Sequence, residues 1–147
     1  MVASKKLDAK AKGITVLKAK KGEDVAVSNN GKRSEIPTKE ITAEHKAFDI
    51  GEKTVEKYCN FISKAKTVVV NGPPGRYEEP EFSYGTRRIL EAIASSDAFS
   101  LAGGGDTVSA IEALGIDRKK FSYISLGGHA LLDYLTGKKL PGVEVLK

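Results

Sequence analysis

Two hydrophobic rhythms alternate along the chain. Ile14–Leu17, Thr67–Val70, Ala98–Leu101 and Phe121–Ser125 are short runs rich in β-branched, aromatic or aliphatic residues, and they read as strands. Between them apolar positions recur at helical spacing: Val55, Tyr58, Cys59 and Ile62, then Thr86, Ile89, Leu90 and Ile93, then Val108, Ile111 and Leu114. The order strand, helix, strand, helix predicts an α/β fold with a parallel sheet. Thr67–Val70 is nearly continuous in β-branched residues, as expected of a strand covered on both faces. Asp24–Val27 and Arg33–Ile36 flank Asn29-Asn30-Gly31, a hairpin signal, and 37–46 is polar. The stretch of about 24–46 is therefore expected as a surface hairpin excursion on a single domain spanning 1–147. Ser4 is placed to cap a short, lysine-rich helix that ends at Gly13.

Glycines punctuate the ends of three of the strands. Asn71-Gly72-Pro73-Pro74-Gly75 follows the first, Gly103-Gly104-Gly105-Asp106-Thr107 the second, and Leu126-Gly127-Gly128-His129 the third. Each of the last two turns opens onto a helix. A glycine turn that delivers a helix start presents free N–H groups and the positive end of the helix dipole, which suits an anion. Asp106 can cap the helix or hold a divalent cation, and Thr107 can cap it or hydrogen-bond a phosphate. A strand must also turn into a helix in any α/β protein, so one such turn alone is equally a structural device. The pattern is neither a Walker loop nor the spaced glycine fingerprint of dinucleotide binders. Three glycine turns after three strands predict one rim at the carboxyl ends of a parallel sheet, where ligands bind.

Composition narrows the class. The chain has 147 residues, 40% hydrophobic and 29% charged, with 24 basic and 19 acidic residues for a net charge of +5. That is enough for one domain with a real core. The lysines near the start (Lys5, Lys6, Lys10, Lys12, Lys18, Lys20, Lys21) have no aromatic residue among them, so they read as a solvated face and not as a nucleic-acid groove. A modest positive balance suits a phosphorylated ligand. The single cysteine, Cys59, lies on an apolar helical stripe and reads as buried and inert. No run spans a membrane and no signal-peptide core opens the chain, so the cytoplasm is expected, with neither membrane nor nucleic acid as partner.

Read in order, these motifs resemble the phosphoglycerate kinase family. Asp49-Ile50-Gly51-Glu52-Lys53-Thr54 is similar to the family's Asp-Ile-Gly-Pro-Lys-Thr. Thr67 to Glu78 is similar to its strand followed by Asn-Gly-Pro-Met-Gly-Val-Phe-Glu, and Gly103–Thr107 to its Gly-Gly-Gly-Asp-Ser/Thr. Tyr123–Ala130 resembles its His-Ile-Ser-Thr-Gly-Gly-Gly-Ala, and Gly137–Val143 its Gly-Lys-x-Leu-Pro-Gly-Val ending. The resemblance implies a Rossmann-like three-layer sandwich with a mostly parallel sheet, incomplete relative to the family, because only the later part of the nucleotide-binding domain is matched.

It also implies roles. Glu78 would accept hydrogen bonds from ribose hydroxyls, Gly72 and Pro74 would line the base and sugar, and Asn71 would support the phosphate end. Gly104, Gly105, Asp106 and Thr107 would hold the phosphates of ATP or ADP, with Asp106 at Mg2+. Amides of Gly105, Gly127 and Gly128 would face the migrating phosphoryl group, a task that oriented N–H groups perform without a side-chain base. In the whole enzyme the reaction would be reversible transfer between 1,3-bisphosphoglycerate and ADP. Each residue has a plainer reading too: Glu78 as acidic surface, Asn71 as a turn cap, Asp106 as an N-cap, His129 as a surface residue. Five positions depart from the family: Leu126 for threonine, His129 for a third glycine, Ala47-Phe48 for Gly-Leu beside the base, and Arg76 for an apolar residue. The expectation is a chain inactive alone, completed by further kinase segments or a complementing chain, or self-associating through an exposed sheet edge. The alternative is a nucleotide-sensing or protein-interaction module without kinase activity.

Overall fold

The computed structural model describes residues 22–146. The helix expected to end at Gly13, the strand Ile14–Leu17 and the lysine-rich start lie outside the described residues. The elements run β1 (Asp24–Asn29), β2 (Lys32–Pro37), β3 (Ala47–Ile50), α1 (Glu52–Ile62), β4 (Thr67–Asn71), α2 (Tyr84–Ala94), β5 (Phe99–Gly103), α3 (Gly105–Ala113), β6 (Tyr123–Ser125), α4 (His129–Leu135) and α5 (Pro141–Glu144).

Two three-stranded sheets are present. β4, β5 and β6 lie side by side in that order, all parallel, with Val70 opposite Ala102 and Ala102 opposite Ile124. The second sheet is antiparallel, in the order β2-β1-β3. Its hairpin turns on Asn30 and Gly31, both at positive φ (51° and 80°), the mirror-image turn that matches strand twist. The stretch read as an excursion carries this hairpin, but β1 is the central strand of its sheet, and Val25, Ala26 and Val27 are buried.

β1 also reaches the start of α1. Gly51 at the N-cap supplies no side chain to the free amides there. Asp24 does so from 30 residues away. Its Oδ1 accepts from the Thr54 amide at 2.8 Å and the Thr54 hydroxyl at 2.7 Å, and its Oδ2 from the Lys53 amide at 3.2 Å. Glu35 Oε2 takes the Glu52 amide at 3.0 Å. Burial works to raise the Asp24 carboxyl, but these bonds outweigh it and hold it below its ordinary range.

The core lies between the helices and one face of the parallel sheet. Ile50, Val55, Tyr58, Ile62, Ile89, Leu90, Ile93, Ala102, Ala110, Ile111 and Phe121 form one cluster, with Val68, Val70 and Ile124 packed on it. The stripes of α1 and α2 are those that the periodicity predicts, except that Thr54 is buried where Cys59 is half-buried. Burial raises the Cys59 thiol, which keeps it protonated and unreactive.

The opposite face corrects the expectation for Thr67–Val70. Val69, Phe99 and Tyr123 stand 41%, 55% and 59% exposed on it. On the same face Leu101, between Val69 and Tyr123, is buried, and at the carboxyl end a Cβ at Gly103 would collide with Leu131 of α4. Among the described residues β4 is an edge strand whose valines pack on one face, so the run reflects β-propensity and one-sided packing. Among the described residues no helix is long and apolar enough to cross a membrane.

Candidate functional site at the carboxyl rim of the parallel sheet

The three glycine turns meet. β4, β5 and β6 run parallel, so the segments after Asn71, Gly103 and Ser125 emerge at one rim. Hydrogen bonds stitch them together there. Thr107 Oγ1 accepts from the Gly72 amide at 2.7 Å and donates to the Gly103 carbonyl at 2.7 Å. The Gly104 amide donates to the Ser125 carbonyl at 3.1 Å, and the Gly127 amide to Ser125 Oγ at 3.1 Å. Gly104 has φ of 91°, and a Cβ there would lie 2.7 Å from Asn71 Oδ1. Only glycine permits both the conformation and the close approach.

The start of α3 bears on the capping readings of two residues. Asp106 is not the N-cap of α3. The helix begins at Gly105 after Gly104, no side chain caps it, and Asp106 sits exposed in its first turn. Its carboxylate is exposed at the rim. Thr107, expected either to cap the helix or to hydrogen-bond a phosphate, does not cap the helix. It is 1% exposed, and its hydroxyl is committed to Gly72 and Gly103. Its contribution to an anion is the backbone: the amides of Gly105, Asp106 and Thr107 form the open first turn of α3, without acceptors among the described residues.

The first turn is also fastened from below. Gly75 and Thr86 exchange bonds, Gly75 amide to Thr86 Oγ1 at 3.1 Å and Thr86 hydroxyl to the Gly75 carbonyl at 3.3 Å. The Arg76 amide donates to the Phe48 carbonyl at 2.8 Å. Under the turn lies Asp49, whose side chain is fully buried. It accepts from the Ile50 amide (2.8 Å), the Gly85 amide (2.7 Å) and Arg33 (3.0 Å). A Cβ at Gly75 or Gly85 would collide with this carboxylate. Burial pushes the Asp49 carboxyl above its ordinary range, against the three bonds.

Glu78 and Asp106 are both exposed, and Tyr77 joins their two turns. Its hydroxyl interacts with Glu78 and with Ser109, one helical turn beyond Asp106. Burial, then the Glu78 carboxylate, push the Tyr77 hydroxyl above its ordinary range; Asp106 adds to this, and Ser109 opposes it. Tyr77 and Ser109 were not among the residues expected from sequence. Gly127 is exposed, Gly128 has φ of 50° and precedes α4, and Leu126 is 74% exposed. The side chain of His129 lies outside the described residues. Among the described residues no three acidic, histidine or cysteine side chains gather as a metal cluster, so a cation at Asp106 would take its other oxygens from a ligand or water. Two shallow depressions lie elsewhere, one against the β1–β2 hairpin and one in the tail after Tyr134.

The fold is that of an α/β protein in which three glycine turns meet at the carboxyl rim of a parallel sheet. Comparison with known proteins is more specific. The sequence model of phosphoglycerate kinase matches residues 3–138. A phosphoglycerate kinase of Haemophilus influenzae strain PittGG is 48% identical over 120 residues, 82% of this chain and 31% of that protein. One from Methanothermus fervidus is 44% identical over 137 residues, 89% of this chain and 33% of that protein. The solved phosphoglycerate kinase of Coxiella burnetii superposes with a TM-score of 0.76 at 36% identity, over 86% of this chain and 33% of that one. That of Pyrococcus horikoshii gives 0.75 at 38% identity, over 85% and 31%. The chain belongs to the phosphoglycerate kinase family. It spans about one third of the length of the relatives it matches.

Proposed function

We propose that this chain is a nucleotide-binding portion of a phosphoglycerate kinase, with the rim as the seat of Mg-ADP or Mg-ATP. The relatives are phosphoglycerate kinases, which supports nucleotide as the ligand class. The observation that carries the reading is the stitching of three turns through Thr107, Gly104 and Ser125, which aims one set of backbone donors at one place. In this reading the amides of Gly105, Asp106 and Thr107 hold phosphate oxygens at the positive end of α3. Asp106 anchors Mg2+, whose remaining ligands are phosphate oxygens and water; when bound, the ion neutralises phosphate charge. Glu78 accepts from the ribose hydroxyls, Gly72 and Pro74 give the sugar and base a close backbone surface, and Asn71 braces Gly104. The amides of Gly105, Gly127 and Gly128 face the phosphoryl group in flight.

In a whole enzyme the reaction is reversible transfer between 1,3-bisphosphoglycerate and ADP, giving 3-phosphoglycerate and ATP. The phosphoglycerate side of that reaction would come from further segments or from a complementing chain. The exposed Val69, Phe99 and Tyr123, beside a β4 edge unpaired among the described residues, support further packing there, by such segments or by a second copy. The test is calorimetry of the chain with Mg-ADP, repeated with Asp106→Ala and Glu78→Ala. The reading expects binding that each substitution weakens at least tenfold. Binding that survives the double substitution would contradict it.

A further inference from the structure

Two asparagines in the chain precede a glycine, in Asn30-Gly31 and Asn71-Gly72. Such a pair has its own covalent chemistry. The glycine amide nitrogen, with no side chain beside it, attacks the asparagine side-chain carbonyl carbon. The bond from that carbon to the carboxamide nitrogen breaks, and ammonia leaves with the proton shed by the glycine amide. A succinimide ring is left. Water then opens the ring at the side-chain carbonyl to give aspartate, or at the main-chain carbonyl to give isoaspartate. The reaction needs a free glycine amide and an asparagine side chain able to swing onto it. Both asparagines are exposed, so exposure does not separate them. Their bonding does.

Asn30 and Gly31 are the two central residues of the β1–β2 turn, whose ladder closes through Asn29 and Lys32. The Gly31 amide has no acceptor among the described residues, and the Asn30 side chain has no partner among them. A Cβ placed on Gly31 would meet no atom within 4 Å, so the tip has room to rotate about Asn30. Asn71 is held at each point where Asn30 is free. The attacking nitrogen is engaged, because the Gly72 amide donates to Thr107 Oγ1 at 2.7 Å. The side chain is turned toward β5, with Oδ1 at 2.7 Å from the place of a Cβ on Gly104. The main chain of Asn71 is the last residue of β4, paired with Gly103. Ring closure there requires all three to let go.

We propose that Asn30 is a site of spontaneous deamidation in the folded chain, and that the Thr107 hydroxyl, by holding the Gly72 amide, protects Asn71 from the same reaction. The proposal is independent of nucleotide binding. Its product bears on the fold: isoaspartate adds a methylene to the main chain in the turn that sets the β1–β2 register, shortly before Arg33 and its bond to Asp49.

The test is peptide mapping by mass spectrometry of the native chain held at mildly alkaline pH, with isoaspartate separated from aspartate by chromatography. The rate at each site is divided by its rate in the urea-unfolded chain, which removes the effect of local sequence. This ratio should be at least about tenfold smaller for Asn71 than for Asn30, since the Gly72 amide must first give up its bond. Thr107→Val, kept well below its melting temperature, should speed conversion of Asn71 and leave that of Asn30 unchanged. Thr107→Ser, which restores the hydroxyl, should return Asn71 to its slow rate. An Asn30 that stays unconverted in the native chain while the unfolded chain converts would overturn the proposal, as would equal ratios at the two sites. Conversion of Asn71 as slow in Thr107→Val as in the native chain would overturn the protecting role of Thr107.

Discussion

Replacing Thr107 by valine removes one hydroxyl and little volume. That hydroxyl holds the first rim turn, through the Gly72 amide, to the end of β5, through the Gly103 carbonyl. Two neutral hydrogen bonds at about 1 kcal/mol each are lost, and a partly buried amide is stranded, for a total of about 2–3 kcal/mol. At about 4 °C per kcal/mol for a chain of this size, the melting temperature should fall by about 8–12 °C. Urea unfolding should give the same loss with an unchanged slope, since the surface exposed on unfolding is the same. Function should suffer beyond stability. With the turn released from α3, Mg-ADP affinity measured well below the melting temperature should fall at least tenfold. Thr107→Ser, which restores the hydroxyl, should recover most of that affinity even if the lost methyl leaves it somewhat less stable. Thr107→Val with native affinity, or with a stability loss under about 0.5 kcal/mol, would refute the claim that this hydroxyl organises the rim.

Three further outcomes follow from the same contacts. Asp24→Asn should destabilise the fold at neutral pH by about 1–2 kcal/mol, the scale of a lost helix cap. Because the folded Asp24 carboxyl is depressed, its stabilisation is present above the ordinary carboxylate range and lost as pH falls through the folded value, so native and variant denaturation curves should converge in acid. Arg33→Met should cost about 3–5 kcal/mol at neutral pH by stranding the buried Asp49 carboxylate. The sign with pH is opposite to that for Asp24: the raised Asp49 carboxyl takes a proton more readily in the folded chain, so stability falls as pH rises through its folded value and the variant should partly recover as pH is lowered. Gly104→Ala should lower stability by more than about 1 kcal/mol from its positive φ alone, with the Asn71 contact adding to it, and circular dichroism melting measures the loss.

The α/β alternation, the helical stripes and the three-turn rim were legible because each is a local pattern. A 3.6-residue period or a glycine run directly after an apolar strand survives without knowledge of partners. What was missed depends on distant residues. β3 is four residues long and includes the fully buried charge of Asp49, so nothing in Ala47–Ile50 announces a strand; only the pairing with β1 makes it one. Asp24 and Thr54 are 30 residues apart, so the cap of α1 cannot be read from the helix's own sequence. Asp106 was read as a cap or a cation ligand because Asp suits both, and the helix beginning at Gly105 removes the first. The bonds of the Thr107 hydroxyl to Gly72 and Gly103 were not legible either, because they depend on β4 lying next to β5. Tyr77 and Ser109 carry no local signal that they would meet. The valine run of β4 could not reveal that one face of its sheet stays open.

The central claim is that three turns, distant in sequence, act as one nucleotide shelf. The measurement that tests it most directly is titration of the isotope-labelled chain with Mg-ADP, followed by amide NMR. The account predicts concerted shifts at Gly72, Glu78, Gly105, Asp106, Thr107, Gly127 and Gly128, saturating with one dissociation constant, and little change in the β1–β2 hairpin. Shifts confined to a single turn, scattered over the lysine-bearing surface, or absent from all three turns would contradict it.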